Sequence, residues 1–351
     1  MTRVLLTGAA GFIGGHILGA LRPSYDVVAI DAFLPSAHGS DRPIPGIERV
    51  DVRDHDSLVD VLTGVDAVCH QAAVVGAGVD AADAPAYASH NDFGTAVLLS
   101  AMAEAGCTRL VLASSMVVYG EGRYTNAAGE TVVPGPRTRG DLDEGRFDNI
   151  DPNTGDTLDW ALVTEDSALQ PRSTYAASKL AQENYALAWS LATGGSVTAL
   201  RYHNVYGPNM PRNTPYSGVA AMFRSSLEAG RPPQVYEDGL QARDFVHVSD
   251  VATANVLSIA ADLPGFTALN VSSGHPITIG EVATALSQAC GGPAPEVTGQ
   301  YRSGDVRHVV ASPESARTAI GFDAAISPFD GLREFATAPL RDAEGTGAPR
   351  V

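Results

Sequence analysis

The sequence predicts an α/β protein: a parallel sheet with helices on both faces and a smaller mixed lobe drawn mostly from the C-terminal third. Three observations carry this expectation. Short β-rich runs alternate with longer Ala/Leu-rich runs over the first 120 residues, glycines cluster between the first strand and the first helix, and the rhythm loosens after Gly207-Pro208. A βαβ rhythm belongs to parallel sheets because each crossover needs a helix to bring the chain back to the same edge. With 351 residues, 44% of them hydrophobic, the chain can bury a core without disulfides or a metal.

In order, Arg3 to Thr7 reads as a strand, Gly14 to Leu21 as a helix, and Asp26 to Asp31 as a strand ending in an acid. Glu48 to Asp51 is a third short strand, Asp56 to Leu62 a helix, and Ala67 to Gln71 a fourth strand. Ala88 to Ala105 has helical periodicity, and the Leu-Val-Leu run within Arg109 to Ser114 suits a strand buried on both faces. Arg123 to Gln170 breaks the rhythm with Gly, Pro, Asp, Asn and Thr; it reads as a long insertion or flap, or as a surface excursion without function. Periodicity resumes with a helix from Thr174 to Leu191 and a strand from Val197 to Tyr202. The smaller lobe holds helices at Ser217 to Glu228, Ser249 to Ala260 and Thr278 to Ala289, and strands at Gln234 to Tyr236 and Ala268 to Val271. From Thr337 to Val351 the chain is rich in Gly, Pro and charge and is expected to fray.

Charge narrows the partners. Lys and Arg number 23 against 40 for Asp and Glu, a net of −17 that repels nucleic acid and anionic membranes, so any polyanionic ligand must be met by particular arginines. Cys69, Cys107 and Cys290 are few, odd in number and widely spaced, which suggests a reducing compartment and gives no metal-ligand spacing. The apolar start Val4-Leu5-Leu6 is interrupted by Thr7-Gly8, so neither a signal peptide nor a membrane span is expected, and the reading is a soluble cytoplasmic protein.

The strongest local signal is Thr7-Gly8-Ala9-Ala10-Gly11-Phe12-Ile13-Gly14, between a predicted strand and helix. Gly8 permits a tight turn, Gly11 lets the backbone approach a diphosphate, Gly14 permits close helix contact, and the helix N-terminus offers oriented N–H groups. Asp31, about 20 residues downstream at the end of the second strand, can accept both hydroxyls of an adenosine ribose and would repel a 2′-phosphate; no arginine follows in Ala32-Phe33. This Rossmann-type arrangement selects NAD over NADP. The alternative is a plain βα turn with Asp31 capping the next segment. Asp51-Val52 could meet the adenine amino group, or Asp51 could be a turn carboxylate; Gln71-Ala72-Ala73 ends the fourth strand, where small side chains let a flat ligand lie on the backbone.

At the reacting end, Tyr175 and Lys179 are four apart in a helical run and share a face, so the ammonium is expected to favour the phenolate. Ser115 follows a buried strand at the carboxyl edge of the sheet, where ligands of such folds bind.

These elements, with Ser114-Ser115 before Val118-Tyr119-Gly120, Tyr175-Ala176-Ala177-Ser178-Lys179, Arg201-Tyr202-His203-Asn204-Val205-Tyr206-Gly207-Pro208 and Arg243-Asp244-Phe245-Val246-His247-Val248, resemble the extended short-chain dehydrogenase/reductase family, and within it the nucleotide-sugar epimerases and dehydratases. The resemblance covers roughly residues 3 to 330, leaving out part of the insertion. It implies that residues 1–202, with the insertion 123–170, bind NAD, that 203–336 form mainly a substrate lobe with some segments returning to the first domain, and that the protein is a homodimer. It also implies that Tyr175 is the acid/base, that Lys179 holds the nicotinamide ribose and tunes the tyrosine, and that Ser115 orders the sugar hydroxyl. By the same resemblance Asn204, Val219, Arg243, Arg302 and Asp305 contact the nucleotide diphosphate or nucleoside of a nucleotide-sugar substrate, and Ala220, Met222 and Phe223 border its base.

Dehydratases of this family carry an Asp-Glu pair directly after the serine or threonine; Met116-Val117 stand there in this chain and cannot transfer protons, which argues against 4,6-dehydration. What remains is reversible oxidation at C4, through a transient 4-keto sugar that turns over before reduction. Asn213 to Val219, Tyr236-Glu237-Asp238-Gly239-Leu240-Gln241 and the long insertion look most like bacterial dTDP-L-rhamnose 4-epimerase-type enzymes. Relatives there often have Cys-Pro-x-Cys-Gly in the insertion; Asp151-Pro152-Asn153-Thr154-Gly155 replaces it, so no zinc knuckle is expected and the flap needs another source of stability. A nucleotide-linked 4-ketosugar reductase and a non-catalytic NAD-binding protein are the rival readings. His203 replaces the phenylalanine often found before Asn204 and leaves the base and hexose open.

Overall fold

A computed structural model describes residues 1–38, 43–76, 78, 80–212, 218–302 and 304–341. Seven parallel strands form the central sheet: β1 (Arg3–Thr7), β2 (Asp26–Asp31), β3 (Glu48–Arg49), β4 (Ala67–His70), β5 (Arg109–Ser115), β6 (Ser196–Tyr202) and β7 (Phe266–Val271). Their order across the sheet is β7-β6-β5-β4-β1-β2-β3. The chain therefore reverses direction beside β1, and the crevice at the carboxyl ends of β1 and β4 is where such sheets receive ligands.

Both faces of the sheet are covered, as the apolar runs require. Alternate residues of β1 feed opposite layers: Val4 and Leu6 join Ile17, Leu21 and Val251 on one side, while Leu5 joins Ile30, Leu58, Leu98 and Trp189 on the other. The first layer holds α1 (Phe12–Leu21), and the second holds α2 (His55–Val61), α3 (Gly94–Ala105) and α4 (Thr174–Thr193). From the C-terminal half, α5 (Val219–Glu228) stays in the smaller lobe, whereas α6 (Val248–Ala261) covers the sheet beside α1 and β7 extends the sheet next to β6. The smaller lobe closes its own core where α5, α7 (Ile279–Cys290) and α8 (Pro328–Phe335) bury Phe223, Leu286 and Phe335.

Two segments depart from the sequence reading. Ala88 to Ala105 is not one uniform helix: Ala88–Phe93 is a wider π-helical turn that α3 continues. A single extra residue per turn carries Asn91 inward, where it is fully buried. At the other end, residues 337 to 341 are fastened where fraying was expected. Asn209 N donates to Pro339 O at 2.7 Å, Arg341 N to Met210 O at 3.1 Å and Arg212 N to Arg341 O at 2.9 Å. The rest of that tail, 342–351, and residues 213–217 lie outside the described residues.

The insertion folds into a small antiparallel sheet in which Arg123–Thr125 lies between Thr131–Val132 and Asp159–Ala161, with a short helix at Arg139–Asp143. Ion pairs dock it onto the smaller lobe. Arg137 Nη1 lies 2.9 Å from Glu237 Oε1, and Arg307, fully buried, reaches Glu237 Oε2 at 2.8 Å, Asp148 at 2.8 Å and Asp238 at 2.7 Å. The His308 ring stacks on Trp160. Asp151, where the relatives' first cysteine would stand, is buried and turns the chain by accepting Asn153 N at 2.8 Å. No helix among the described residues is long and apolar enough to cross a membrane.

Candidate functional site

The glycine turn is sterically committed. Gly8 has φ +68, and a Cβ there would lie 2.7 Å from Ala72 N; a Cβ on Gly14 would lie 2.0 Å from Gly8 O. Both positions accept only glycine, and together they seat α1 on the turn beside the end of β4. Gly11 caps α1 without a side-chain bond, so the N–H groups of Phe12 and Ile13 face outward at the positive end of the helix dipole. Asp31 is buried at the end of β2; its Oδ2 accepts Ala10 N at 3.0 Å and its Oδ1 accepts Phe33 N at 2.8 Å. His38 Nε2 adds a contact to Oδ1 at 3.1 Å. Burial works against the charge, but these donors outweigh it and hold the carboxyl below its ordinary range.

The other residues expected at this end are spread along the same edge. Gln71 Nε2 donates to Asn255 Oδ1 at 3.0 Å, its Oε1 accepts Tyr202 OH at 3.1 Å, and Ala72 N donates to Thr7 Oγ1 at 3.0 Å. Ala73 follows, partly exposed. Asp51 is gripped by Arg53, with Nη2 to Oδ2 at 2.6 Å, which lowers its pKa; Val52 beside it is buried. A diphosphate and ribose therefore fit here: the cradle excludes side chains, offers outward N–H groups and ends at an ionised acceptor.

The reacting end sits at the carboxyl ends of β5 and β6. Ser115 closes β5 opposite Tyr202 of β6, and Tyr175 lies in the first turn of α4, which Ser173 caps by accepting Ala176 N at 3.1 Å. Ser115 stands beside the Tyr175 phenol and works to lower its pKa. The loop after β4 is locked to the same turn, since a Cβ on Gly78 (φ +65) would lie 2.6 Å from Tyr175 N. Asn91, turned inward by the π segment, holds Val74 N at 2.8 Å and Val74 O at 2.9 Å and donates to Ser178 Oγ at 2.9 Å; Ser178 in turn donates to Tyr175 O at 2.8 Å. One side chain thus ties the cofactor edge to the helix bearing the tyrosine.

Lys179 is placed differently from expectation. Its Nζ donates to Ala113 O at 3.0 Å, and burial lowers its pKa to about 8 against the opposing pull of Glu183. The Tyr175 phenol is raised above its ordinary value by burial and by Tyr87, with Ser115 acting the other way. Sharing a helix face fixes the direction of two side chains, not their contact; this long one is bonded to the strand end. Lys179 is also the only lysine in the sequence, since the other 22 of the 23 basic residues are arginine.

Among the substrate candidates, Arg243, Arg302 and Asp305 come together. Arg243 donates to Ala242 O at 2.9 Å, Arg307 O at 2.8 Å and Val306 O at 2.6 Å, which among the described residues commits three of its five N–H groups and leaves two. The Arg302 guanidinium lies 5.3 Å from the centre of the Tyr236 ring, beside a pocket walled on the other side by Leu142 and Asp143 of the insertion. Burial raises the pKa of Asp305, offset by Arg302, Arg243 and Arg137. Asn204 is anchored by its N–H to Asp244 O at 2.9 Å, while its Oδ1 is buried without a partner among the described residues. Val219 opens α5 and packs, with Phe12 of the glycine turn, on the core of the smaller lobe; Ala220 and Phe223 are buried beside it, and Met222 is exposed. His203 is buried, and neither ring nitrogen has a well-formed partner among the described residues; burial lowers its pKa to about 3, with Asn270 opposing. Arg137, Glu237 and Asn91 were missed from sequence because nothing local marks them.

A doubly wound sheet whose edge joins a dinucleotide cradle to a serine, a tyrosine and a lysine defines a nicotinamide-dependent enzyme. The chain belongs to the NAD dependent epimerase/dehydratase family, whose model matches residues 4–139 and 155–272 and so skips the stretch containing Asp148 and Asp151. It is 33% identical over 350 residues to a dTDP-L-rhamnose 4-epimerase of Burkholderia thailandensis, covering 95% of this chain and 94% of that one. Among solved structures it is similar to MoeE5 in complex with UDP-glucuronic acid and NAD (31% identity, TM-score 0.75, 95% and 97% of the two chains). A UDP-glucose 4-epimerase of Thermus thermophilus in complex with NAD is comparable (30%, TM-score 0.74, 95% and 98%).

Proposed function

We propose that the protein is an NAD-dependent 4-epimerase of a nucleotide-diphosphate hexose, dTDP- or UDP-linked, with 6-deoxyhexoses among the candidate sugars. One observation carries the reading: the Ser115–Tyr175 hydroxyl pair stands at the cofactor edge with only apolar Met116 and Val117 after the serine, so the site can move one proton but has no acid–base pair there for water loss. Bound NAD would supply a hydride acceptor that returns the same hydride. Tyr175 Oη, as the phenolate that the positive charges of bound NAD and of Lys179 would favour, takes the C4 hydroxyl proton during oxidation and gives it back during reduction, with Ser115 Oγ ordering that hydroxyl. Lys179, fixed on Ala113 O, holds positive charge beside the nicotinamide ribose. Arg243, through its two remaining N–H groups, and Arg302 hold the diphosphate as a pivot while the keto sugar turns, with Asn204, Val219 and Asp305 around the nucleotide. Asp31 takes the adenosine ribose. Exposed Leu187 and Leu191, four apart on α4 and so on one side of it, support pairing as a homodimer.

The test is incubation of the purified protein, without added cofactor, with a panel of UDP- and dTDP-hexoses, followed by product separation. Interconversion of C4 epimers over many turnovers is expected. Conversion that needs added NAD in stoichiometric amount and releases NADH with a 4-keto sugar, the reverse of ketosugar reduction, would make the protein a 4-ketosugar reductase, and no conversion of any member would leave it a dinucleotide-binding protein.

A further inference from the structure

The last described residues put a cation where the dinucleotide reading places negative charge. After α8, residues 337 to 341 run beside the 209–212 loop and end with Arg341 Nη1 on Ala10 O at 2.8 Å, inside the glycine turn and 331 residues away in sequence. Ala10 is held on both sides, its N–H by Asp31 and its carbonyl by Arg341. No other nitrogen of that guanidinium has a partner among the described residues, and it forms no ion pair with Asp31, although it lies within that carboxylate's field. The placement is unfavourable on its own terms: α1 starts two residues after Ala10, and a half-buried cation beside a helix N-terminus adds to the positive end of the dipole. Cations stabilise the opposite end of a helix. An anion between the guanidinium and the outward N–H groups of Phe12 and Ile13 turns both positive groups into donors.

We infer that Arg341 is a further cofactor-binding residue that contacts the diphosphate of the dinucleotide, so that the C-terminal segment fastens the cofactor from the side of the substrate lobe. The inference rests on the dinucleotide reading above. It gives the −17 chain a guanidinium for that diphosphate separate from those near the nucleotide sugar. Because the same segment pairs with Met210 and Arg212, a bound dinucleotide is coupled to the lobe that holds the substrate.

The test is calorimetric titration of cofactor-free protein with NAD, ADP and adenosine for the wild type, R341Q and R341K. Glutamine keeps a donor for Ala10 O but removes the charge; lysine restores the charge. R341Q should bind NAD and ADP about 10-fold more weakly, R341K should recover most of that loss, and adenosine affinity should be the same in all three. Unchanged NAD and ADP affinity in R341Q overturns the inference. So does a parallel loss for adenosine, which would make Arg341 a prop for the turn. A wild type that takes neither NAD nor ADP overturns the dinucleotide reading, and this inference with it.

Discussion

Replacing Glu237 by glutamine should loosen the insertion from the smaller lobe, and the size of the effect follows from burial. Glu237 is 2% exposed and pairs at 2.9 Å with Arg137 and at 2.8 Å with Arg307, whose side chains are 5% and 0% exposed. It holds this position in a left-handed backbone conformation, φ +53, which costs an L-residue roughly 1–2 kcal/mol and is tolerated for the two pairs it makes. Neutralising it leaves Arg137 with two backbone carbonyls as its remaining partners, and breaking a buried pair from one side costs about 3–5 kcal/mol. Glutamine retains one acceptor oxygen, so the lower figure, about 3 kcal/mol, applies. An unfolding entropy of about 2.1 cal/mol/K per residue over 351 residues gives about 0.74 kcal/mol/K, so Tm should fall by about 4 °C. Asp148→Asn is the control. That carboxylate also meets Arg307, but it is half exposed, so water takes over its role and the loss should stay below about 1 kcal/mol. Scanning calorimetry reads both variants, and limited proteolysis reads whether 123–170 is released. Equal Tm shifts in E237Q and D148N, or protease resistance unchanged in E237Q, would refute the view that the buried cluster holds the insertion.

Tyr175→Phe should leave NAD binding intact while turnover on a nucleotide hexose falls by roughly 10²–10⁴, measured by steady-state product formation. Lys179 supplies a pH test. Its pKa in the folded protein is about 8 against an ordinary value of 10.5, so between those values the unfolded chain binds the extra proton and stability gains from rising pH. Denaturant midpoints at pH 7.5 and 9.5 should show that gain in the wild type and lose it in K179M; identical pH slopes would place the lysine in water. Arg302→Ala should weaken dTDP or UDP binding by about 10-fold while NAD affinity holds, which calorimetric titration of each ligand separates.

Much of this was readable in the sequence, for a physical reason. The glycine turn, Asp31 and the strand–helix order depend on neighbours in sequence: Gly8 and Gly14 must be glycine because backbone lies within 2.7 Å of any Cβ placed there. The parts that could not be read depend on distance along the chain. Asn91 was hidden because a 3.6-residue period cannot foresee a π turn, and the reach of Lys179 to Ala113 because helix spacing fixes direction and not length. Arg137, Asp148, Glu237 and Arg307 come together from segments up to 170 residues apart (307 − 137), and no local spacing marks such a meeting. Thr337 to Arg341 has the composition of a fraying end, and its bonds to Asn209, Met210, Arg212 and Ala10, all distant in sequence, hold it.

Lys179 has a consequence outside catalysis. Within these 351 residues an amine-directed reagent meets a single side-chain target, and that target is 3% exposed beneath the cleft. Arginines supply the rest of the cationic surface, and they do not acylate under the same conditions. Lysine acylation of this chain is therefore a one-site chemical probe: its rate reports how often the cleft admits solvent to Ala113, and protection by a ligand reports occupancy without any assay of turnover. The same scarcity leaves no other lysine ε-amine in these 351 residues for acetylation or isopeptide attachment, so lysine modification within them would have to act at Lys179, beside Ala113.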